Sequence, residues 1–162
     1  MKVKTLITEF KEYAKSGKKY DLAAHIKKSY LPYVEKMSLA SRAINSTSYV
    51  EINGVSVYKQ NTPAMMMFFD IGLIEAYTDL VFDVSKVSND YDLMIESGIM
   101  ASLLSLIPEN EQAICRDILQ MTRNDLLENT RSLVSYIETK SDAFVEASNA
   151  LTDVLANITP TE

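Results

Sequence analysis

Three carboxylates are the residues of this chain whose type and spacing come closest to catalytic chemistry. Glu75 and Asp79 lie four residues apart in an apolar segment, and Asp70 precedes them by a turn or so. On a helix, a spacing of four places Glu75 and Asp79 on the same face. Two-metal sites on helices also use a Glu-x-x-His motif, which this sequence lacks. We therefore interpret the three carboxylates as polar residues at the edge of a core helix.

The single histidine and the single cysteine limit the chemistry further. His25 and Cys115 lie far apart in the sequence, whereas zinc sites use clusters of Cys and His at close spacing. A Cys–His nucleophile also needs a third group that orients the base. A lone thiol cannot form an internal disulfide, which suits a reducing compartment. The sequence predicts no enzymatic activity, no metal and no cofactor.

The segment 16–19, Ser-Gly-Lys-Lys, partly matches two catalytic motifs. A phosphate-binding loop needs further glycines between a strand and a helix. The Ser-x-x-Lys motif of penicillin-recognising enzymes occurs together with Ser-Asp-Asn or Lys-Thr-Gly. The sequence contains neither accompanying pattern, so both matches are incomplete.

Composition predicts one mainly α-helical domain over residues 1–162. The hydrophobic fraction is 47%, and four Gly and four Pro in 162 residues are too few for a fold made mostly of turns and strands. We expect five to seven helices, one β-hairpin over residues 48–59 and a long C-terminal helical segment.

The apolar period of 3.6 residues predicts a first helix over residues 2–15. A second helix begins near Asp21 as its N-cap. Its apolar face consists of Leu22, Ile26, Tyr30 or else Ser29, Tyr33, Met37, Ala40 and Ile44. Because Pro32 cannot continue a helix, we expect a break at Leu31.

Residues 48–59 change to a period of two around Asn53-Gly54, the strongest short signal for a hairpin turn. Pairing about this turn places Val50, Ile52, Val55 and Val57 on one face, which we expect to lie on the helices. Tyr49 and Tyr58 then share the other face with Glu51 and Ser56.

Thr62-Pro63 predicts the start of a central helix over residues 62–82 that is apolar nearly all round. Residues 83–89 are expected to form a linker, and short helices follow up to Pro108. Residues 109–159 contain no Gly and no Pro. They predict one long helix or two consecutive ones, with a break near 139–141. Their apolar seam either packs within the chain or self-associates, and Thr122, Asn129 and Lys140 interrupt it. The seam residues are Leu119, Leu126, Leu133, Phe144, Ala147, Leu151, Val154 and Ile158.

Charge is divided unevenly along the chain. Residues 1–60 hold eleven Lys/Arg against five Asp/Glu, while residues 61–162 hold five against seventeen. The chain thus has a basic helical part, residues 1–47, and an acidic helical part, residues 89–158. This asymmetry either steers a partner or pairs the two parts internally.

Ten residues form the candidate interaction surface. They are Lys15, Lys18, Lys19, Lys27, Lys28, Tyr49, Tyr58, Glu128, Glu138 and Asp142. The lysines lie near tyrosines, a combination that could bind phosphates and stack on bases. The acidic residues could instead imitate the phosphates of DNA on a rigid helix.

Membrane insertion is not expected. The most apolar stretch, residues 64–82, carries three carboxylates, each of which costs about 2.5–3.5 kcal/mol near the bilayer centre. The N-terminal residues show no pattern of a secretory signal. We expect a cytoplasmic protein, or part of a particle assembled in a cytoplasm.

In its general sequence character, over most of its length, the chain resembles small structural and assembly proteins from the morphogenesis gene clusters of tailed bacteriophages and prophages of Gram-positive bacteria. The segments that carry the resemblance are residues 16–21, residues 61–64 after the hairpin, and residues 128–133. The resemblance implies a connector, accessory or assembly component with protein neighbours, in the host cytoplasm or the virion.

Two alternatives to this function remain open. One is a phage-encoded inhibitor of a host defence protein, acting through an acidic DNA-mimicking surface. The other is an accessory protein that binds nucleic acid through its basic N-terminal region. We expect other protein subunits as partners, either further copies of the chain or virion proteins.

Overall fold

The computed structural model describes residues 1–52 and 55–158, with the side chains of 50–58, 134, 139, 143 and 151–158 excepted. The described part is mainly helical and ends in one long helix, which confirms the predicted class. Its α-helices are α1 (Val3–Lys15), α2 (Tyr33–Asn45), α3 (Thr62–Tyr77), α4 (Val87–Glu96), α5 (Ile99–Leu104) and α6 (Glu109–Ile158). The chain divides into two compact units, Met1–Thr122 and a second that begins at Arg123.

Between α2 and α3 lie two short strands, β1 (Tyr49–Ile52) and β2 (Val55–Tyr58). They pair antiparallel, with Tyr49 opposite Tyr58 and Ile52 opposite Val55. The predicted turn residues, Asn53 and Gly54, lie outside the described residues. The predicted apolar and polar faces of the hairpin stay predictions, because they depend on the side chains of residues 50–58, which lie outside the described part of the chain.

The predicted second helix is wrong over residues 26–32. Asp21 caps only a short 3-10 turn, Leu22–His25, by accepting a hydrogen bond from the Ala23 amide. The chain then runs without helix to Pro32, which precedes the first residue of α2. The expected break before Pro32 is therefore present, but it separates a 3-10 turn from α2 and not two α-helices.

The face of α2 also differs from the prediction. Tyr30, Tyr33 and Met37 were expected to be buried and are exposed. The buried residues of α2 are Lys36, Leu39, Ala40, Ala43 and Ile44. Because one residue of the buried face is a lysine, the apolar pattern did not indicate which side of α2 is buried.

The central helix α3 begins as predicted near Pro63, but its N-cap is Asn61, whose side chain accepts from the Ala64 amide. It ends at Tyr77 and not at residue 82. Thr78 has extended backbone angles, and its hydroxyl donates to the Ile74 carbonyl in the last turn. A segment that is apolar nearly all round has no period by which to tell a helix from an extended run, so the sequence could not mark this end.

Residues 78–82 follow α3 as an extended segment that pairs with two other parts of the first unit. Thr78 forms an antiparallel bridge with Ile26, and Val81 forms a parallel bridge with Lys2. Two side chains of this segment, Leu80 and Phe82, are buried in the core.

One further expectation for the helical part is wrong. The predicted linker at 83–89 instead contains a 3-10 turn, Val84–Lys86, and the start of α4. Of the two alternatives for residues 109–159, the structure has the single long helix, since α6 runs from Glu109 to Ile158 without a break near residues 139–141.

The main hydrophobic core of the first unit joins α1, α3, α4, α5 and the extended segment. Each fully buried side chain of this kind contributes about 1.5–3 kcal/mol. The core residues are Val3, Leu6, Ile7, Leu22, Ile71, Ile74, Leu80, Phe82, Met94, Ile99, Met100 and Leu103.

Candidate functional site

The first polar cluster is a buried ion pair between α2 and the first turn of α6. The Lys36 ammonium lies 2.9 Å from Glu111 Oε1, and the two residues are only 3% and 4% exposed. The other oxygen, Oε2, accepts from the Leu31 amide at 2.9 Å and from the Tyr77 hydroxyl at 2.7 Å. Glu111 therefore connects three segments that are distant in sequence: the start of α6, residues 31–36 and the end of α3.

Electrostatics explain how this carboxylate stays ionised. Burial alone would raise the pKa of Glu111, but the hydrogen bonds from Lys36, Tyr77 and Leu31 favour the charged form more strongly. Its pKa therefore lies below the ordinary value. Among the described side chains, no buried polar atom lacks a hydrogen-bond partner. The cluster holds the fold together and has no unused group.

Cys115 lies at the edge of the same cluster. Its Sγ is 4.0 Å from the Tyr77 hydroxyl, and its side chain is fully buried. Burial raises the pKa of the thiol, so the reactive thiolate is disfavoured. His25 belongs to a different cluster, described next, and does not contact the thiol.

The second cluster is a chain of hydrogen bonds around His25. The Tyr20 hydroxyl donates to Glu9 Oε2 at 2.9 Å and lies 3.0 Å from His25 Nε2. The His25 ring stacks on the Tyr20 ring, and its Nδ1 lies 2.9 Å from Asp79 Oδ1. Burial would raise the pKa of Asp79, but the hydrogen bond and charge of His25 outweigh it, so the pKa is lowered.

This arrangement corrects the predicted placement of the carboxylates. Asp79 lies beyond the end of α3 and therefore does not share a helical face with Glu75. Glu75 Oε1 accepts from the Phe82 amide at 3.0 Å, and Asp70 Oδ2 accepts from the Tyr91 hydroxyl at 3.1 Å. Each carboxylate thus serves a separate contact. In the described part of the chain no group of three potential ligands could hold a metal ion.

Replacing Tyr20 by phenylalanine tests whether the second cluster is structural. The change keeps the ring contacts but removes the hydroxyl from Glu9 and His25, so we expect the free energy of unfolding to fall by about 1–2 kcal/mol. Chemical denaturation of the native protein and the variant measures this difference in the free energy of unfolding. Tyr13→Phe is the matched control, because the Tyr13 ring packs edge-on against Tyr20 while its hydroxyl takes no part in this cluster. An equal loss in both variants would contradict the assignment.

The five lysines of the candidate surface are all exposed, but the structure does not bring them together into one site. Lys18 and Lys19 line an open cavity of about 460 Å³ together with Phe10, Tyr20 and Ser105. Lys15 is the last residue of α1. Lys27 and Lys28 follow the 3-10 turn and donate their backbone amides to the Tyr77 carbonyl.

One of these lysines has an acidic partner. The Lys28 ammonium lies 3.1 Å from Glu35 Oε2 on α2, and both side chains are about half exposed. A pair of this kind contributes little to stability, but it reduces the positive charge of the surface. Glu35 therefore offsets the positive charge of Lys28 locally.

Tyr49 lines a different open cavity, beside Thr47, Lys59 and Phe68. The Tyr58 side chain lies outside the described residues, so the predicted sharing of a face with Tyr49 stays a prediction.

The second unit presents an exposed apolar seam on α6. The seam runs along one face at alternating steps of three and four residues and includes two polar members. Its described residues are Leu126, Thr130, Leu133, Ile137, Lys140, Phe144 and Ala147. Leu133, Ile137 and Phe144 are 59%, 56% and 76% exposed.

The acidic residues of the candidate surface, Glu128, Glu138 and Asp142, are also exposed on α6. Tyr136 and Val145 are further exposed apolar residues of this segment that the sequence prediction did not include. Both lie outside the three-and-four pattern, which is why periodicity did not mark them. The Lys140 ammonium lies 5.6 Å from the centre of the Tyr136 ring.

Comparison with protein-family models, with curated proteins and with solved structures found no match. No helix in the described part of the chain is both long and apolar enough to cross a membrane.

Proposed function

We propose that this chain is a non-enzymatic structural or assembly protein of a tailed bacteriophage that acts through protein–protein contacts. The observation that supports the proposal most strongly is the exposed seam on α6. Large apolar side chains scattered over a surface need no explanation, but several of them in a row along one face are typical of an interaction site.

Helix energetics support the same function. Most of the stability of a helix in a protein comes from packing its apolar face, because helix propensity alone is marginal in water. The helix from Arg123 to Ile158 exposes Leu133, Ile137 and Phe144. Burial of these side chains against another copy of the chain supplies the missing packing energy, at about 1.5–3 kcal/mol for each side chain fully buried.

The polar clusters favour binding over catalysis. The ion pair of Lys36 and Glu111 is saturated with hydrogen bonds, and the chain of contacts through Tyr20 and His25 ends on Glu9 and Asp79. Both arrangements fix the fold of the first unit. The phage setting is supported by the sequence resemblance alone, as is a location in the host cytoplasm or the virion.

The two alternative functions remain predictions that the surface favours less. A DNA mimic needs a continuous row of carboxylates, whereas Arg131 and Lys140 interrupt Glu128, Glu138 and Asp142 on α6. A nucleic-acid interface needs a strong basic patch, whereas Lys28 is paired with Glu35.

Light scattering after size exclusion tests the proposal. We expect the native protein to elute with at least twice the chain mass of 18.2 kDa. The double variant Ile137→Glu/Phe144→Glu should have the mass of one chain, because charges in the seam oppose its burial.

The matched control is Ser132→Glu/Val145→Glu, which adds the same two charges outside the seam and should keep the native mass. Circular dichroism checks that both variants remain helical. A native protein with the mass of one chain at its highest soluble concentration would overturn the proposal.

A further inference from the structure

The protons of the cluster around His25 can be counted from its contacts. The ring atom Nδ1 lies 2.9 Å from Asp79 Oδ1, and Nε2 lies 3.0 Å from the Tyr20 hydroxyl. The same hydroxyl donates to Glu9 Oε2 at 2.9 Å. An ionised carboxylate only accepts hydrogen bonds, and a tyrosine hydroxyl has one proton to donate. The contact with Asp79 therefore requires a proton on Nδ1, and the contact with Glu9 uses the single proton of Tyr20.

The remaining contact, between His25 and Tyr20, requires one more proton. Because the Tyr20 hydroxyl already donates to Glu9, its oxygen can only accept from the ring, so Nε2 must carry a proton as well. A ring with protons on both nitrogens is the positively charged imidazolium. With both carboxylates ionised, the three contacts exist together only when His25 is protonated.

The backbone determines which proton the ring loses. The Asp79 amide donates to the His25 carbonyl at 3.1 Å, which keeps the ring beside the Asp79 carboxylate. The proton on Nδ1 therefore stays, and the proton on Nε2 leaves. The Tyr20 hydroxyl then lies between two acceptors, Nε2 and Glu9 Oε2, and can donate to only one of them.

Burial determines which acceptor keeps the hydroxyl. The His25 side chain is only 12% exposed, so an Nε2 atom without a donor would be costly. Glu9 is half-buried on α1 and can turn its carboxylate to water. The Tyr20 hydroxyl therefore turns from Glu9 to Nε2 when the ring becomes neutral.

Two neighbouring groups keep their charge state in the range in which histidine titrates, about pH 5–8. Burial and the hydrogen bond to Glu9 raise the pKa of Tyr20 to about 12. Burial would raise the pKa of Asp79, but the hydrogen bond and charge of His25 lower it. The hydroxyl therefore stays protonated and the Asp79 carboxylate stays ionised.

Three further groups lie beside the cluster. Tyr13 on α1 packs edge-on against the Tyr20 ring, the Met1 ammonium donates to the Asp79 carbonyl, and the charge of Lys27 acts on the Asp79 carboxylate. The two cations disfavour a charged ring, and the two carboxylates favour it. An α-amino group also titrates near this range, so the test needs a variant that separates its effect from that of the ring.

We infer that His25 is a pH-sensitive switch: its doubly protonated ring keeps the Tyr20 hydroxyl on Glu9, and loss of the Nε2 proton releases Glu9. The contact with Glu9 is present at low pH and is lost as the pH rises through the titration of the ring, because the form with the additional proton makes all three contacts. One attachment of α1 to the rest of the first unit thus depends on pH. This inference does not depend on the proposed function.

Nitrogen NMR of the native protein tests the proton positions. The chain contains one histidine, so its ring gives a single set of signals. Between about pH 5.5 and about pH 8.5, we expect Nε2 to lose its proton while Nδ1 keeps its own. A ring that loses the Nδ1 proton, or that keeps one charge state over the whole range, overturns the inference.

A double-mutant cycle tests the release of Glu9. Tyr20→Phe removes the hydroxyl and Glu9→Ala removes its acceptor, so urea denaturation of the native protein, the two single variants and the double variant gives the coupling between them. We expect this coupling to change the unfolding equilibrium constant about tenfold at about pH 5.5 and to be absent at about pH 8.5. Equal coupling at both pH values overturns the inference.

The matched control repeats the cycle in His25→Gln, whose amide does not titrate. Its coupling should be the same at both pH values. If it still falls as the pH rises, another group, such as the Met1 amine, is the one that titrates, and the inference is overturned. The nitrogen spectra need no variant, so they decide the proton positions even if one of these variants fails to fold.

Discussion

Replacing Lys36 by methionine lowers the free energy of unfolding by about 3–5 kcal/mol, the usual cost of leaving one member of a buried ion pair without its partner. Methionine keeps most of the volume of the lysine stem but removes the ammonium that lies 2.9 Å from Glu111. The Glu111 carboxylate then retains only the Leu31 amide and the Tyr77 hydroxyl. Urea denaturation followed by circular dichroism measures the loss.

A double variant provides the control for this prediction. In Lys36→Met/Glu111→Gln the buried charge is gone, while the glutamine oxygen still accepts from Leu31 and Tyr77. We expect the double variant to be more stable than Lys36→Met alone, because removing both charges avoids the uncompensated one. The single variant Glu111→Gln completes the comparison. If the losses of the two single variants add up to the loss of the double variant, the ion pair does not couple the two residues and the interpretation is wrong.

The same pair makes stability depend on acid. Because the pKa of Glu111 is lowered in the folded protein, its contribution is fully present above the ordinary value of 4.5 and is lost as the pH falls through the folded value. The native protein should therefore lose stability below about pH 4.5. The double variant should lose less over the same range, since it lacks the titrating carboxylate.

If the chain self-associates as proposed, we expect the replacement of Lys140 by leucine to tighten that association at least tenfold. Lys140 is the one charged member of the described seam, and a leucine there adds an apolar side chain worth about 1.5–3 kcal/mol when fully buried. A factor of ten in the dissociation constant corresponds to about 1.4 kcal/mol. Sedimentation equilibrium of both proteins measures the change.

Asp142→Leu is the control for this second prediction, because it introduces the same side chain on the opposite face of α6. We expect its dissociation constant to stay close to the native one. If Asp142→Leu tightened association as much as Lys140→Leu, the contact would not run along the seam.

Local periodicity predicted the elements that have one clearly apolar face. The helix expected over residues 2–15 is α1, Val3–Lys15. Part of the seam of α6 was also visible in the sequence, since Leu126 and Leu133 are seven residues apart and Phe144 and Ala147 are three apart. These predictions succeed because each depends on residues that are neighbours along the chain.

The phase of α2 could not be predicted in the same way. Tyr30, Tyr33 and Met37 extend an apolar pattern across Pro32, but the helix begins only after the proline, and these residues are exposed. The buried face instead contains Lys36. Any hydrophobic pattern predicts that a lysine is exposed. The burial of Lys36 can be recognised only once its ion-pair partner, Glu111, is known.

The contacts of the polar clusters were equally inaccessible to sequence reasoning. From the sequence alone, Glu111 is only an acidic residue in the first turn of the helical segment that begins at residue 109, where the helix dipole favours it. Its partners Lys36 and Leu31 precede it by 75 and 80 residues. Long-range pairing of this kind leaves no signal in a single sequence.

The place of Glu111 in the first unit also affects how the protein folds during translation. A nascent chain that stops short of residue 109 contains α1 to α5 but lacks the carboxylate that holds Lys36 and the Leu31 amide. It also lacks Cys115, Ile118 and Leu119, which are buried in the finished protein. The N-terminal unit therefore completes its core only after the first turns of the last helix have left the ribosome.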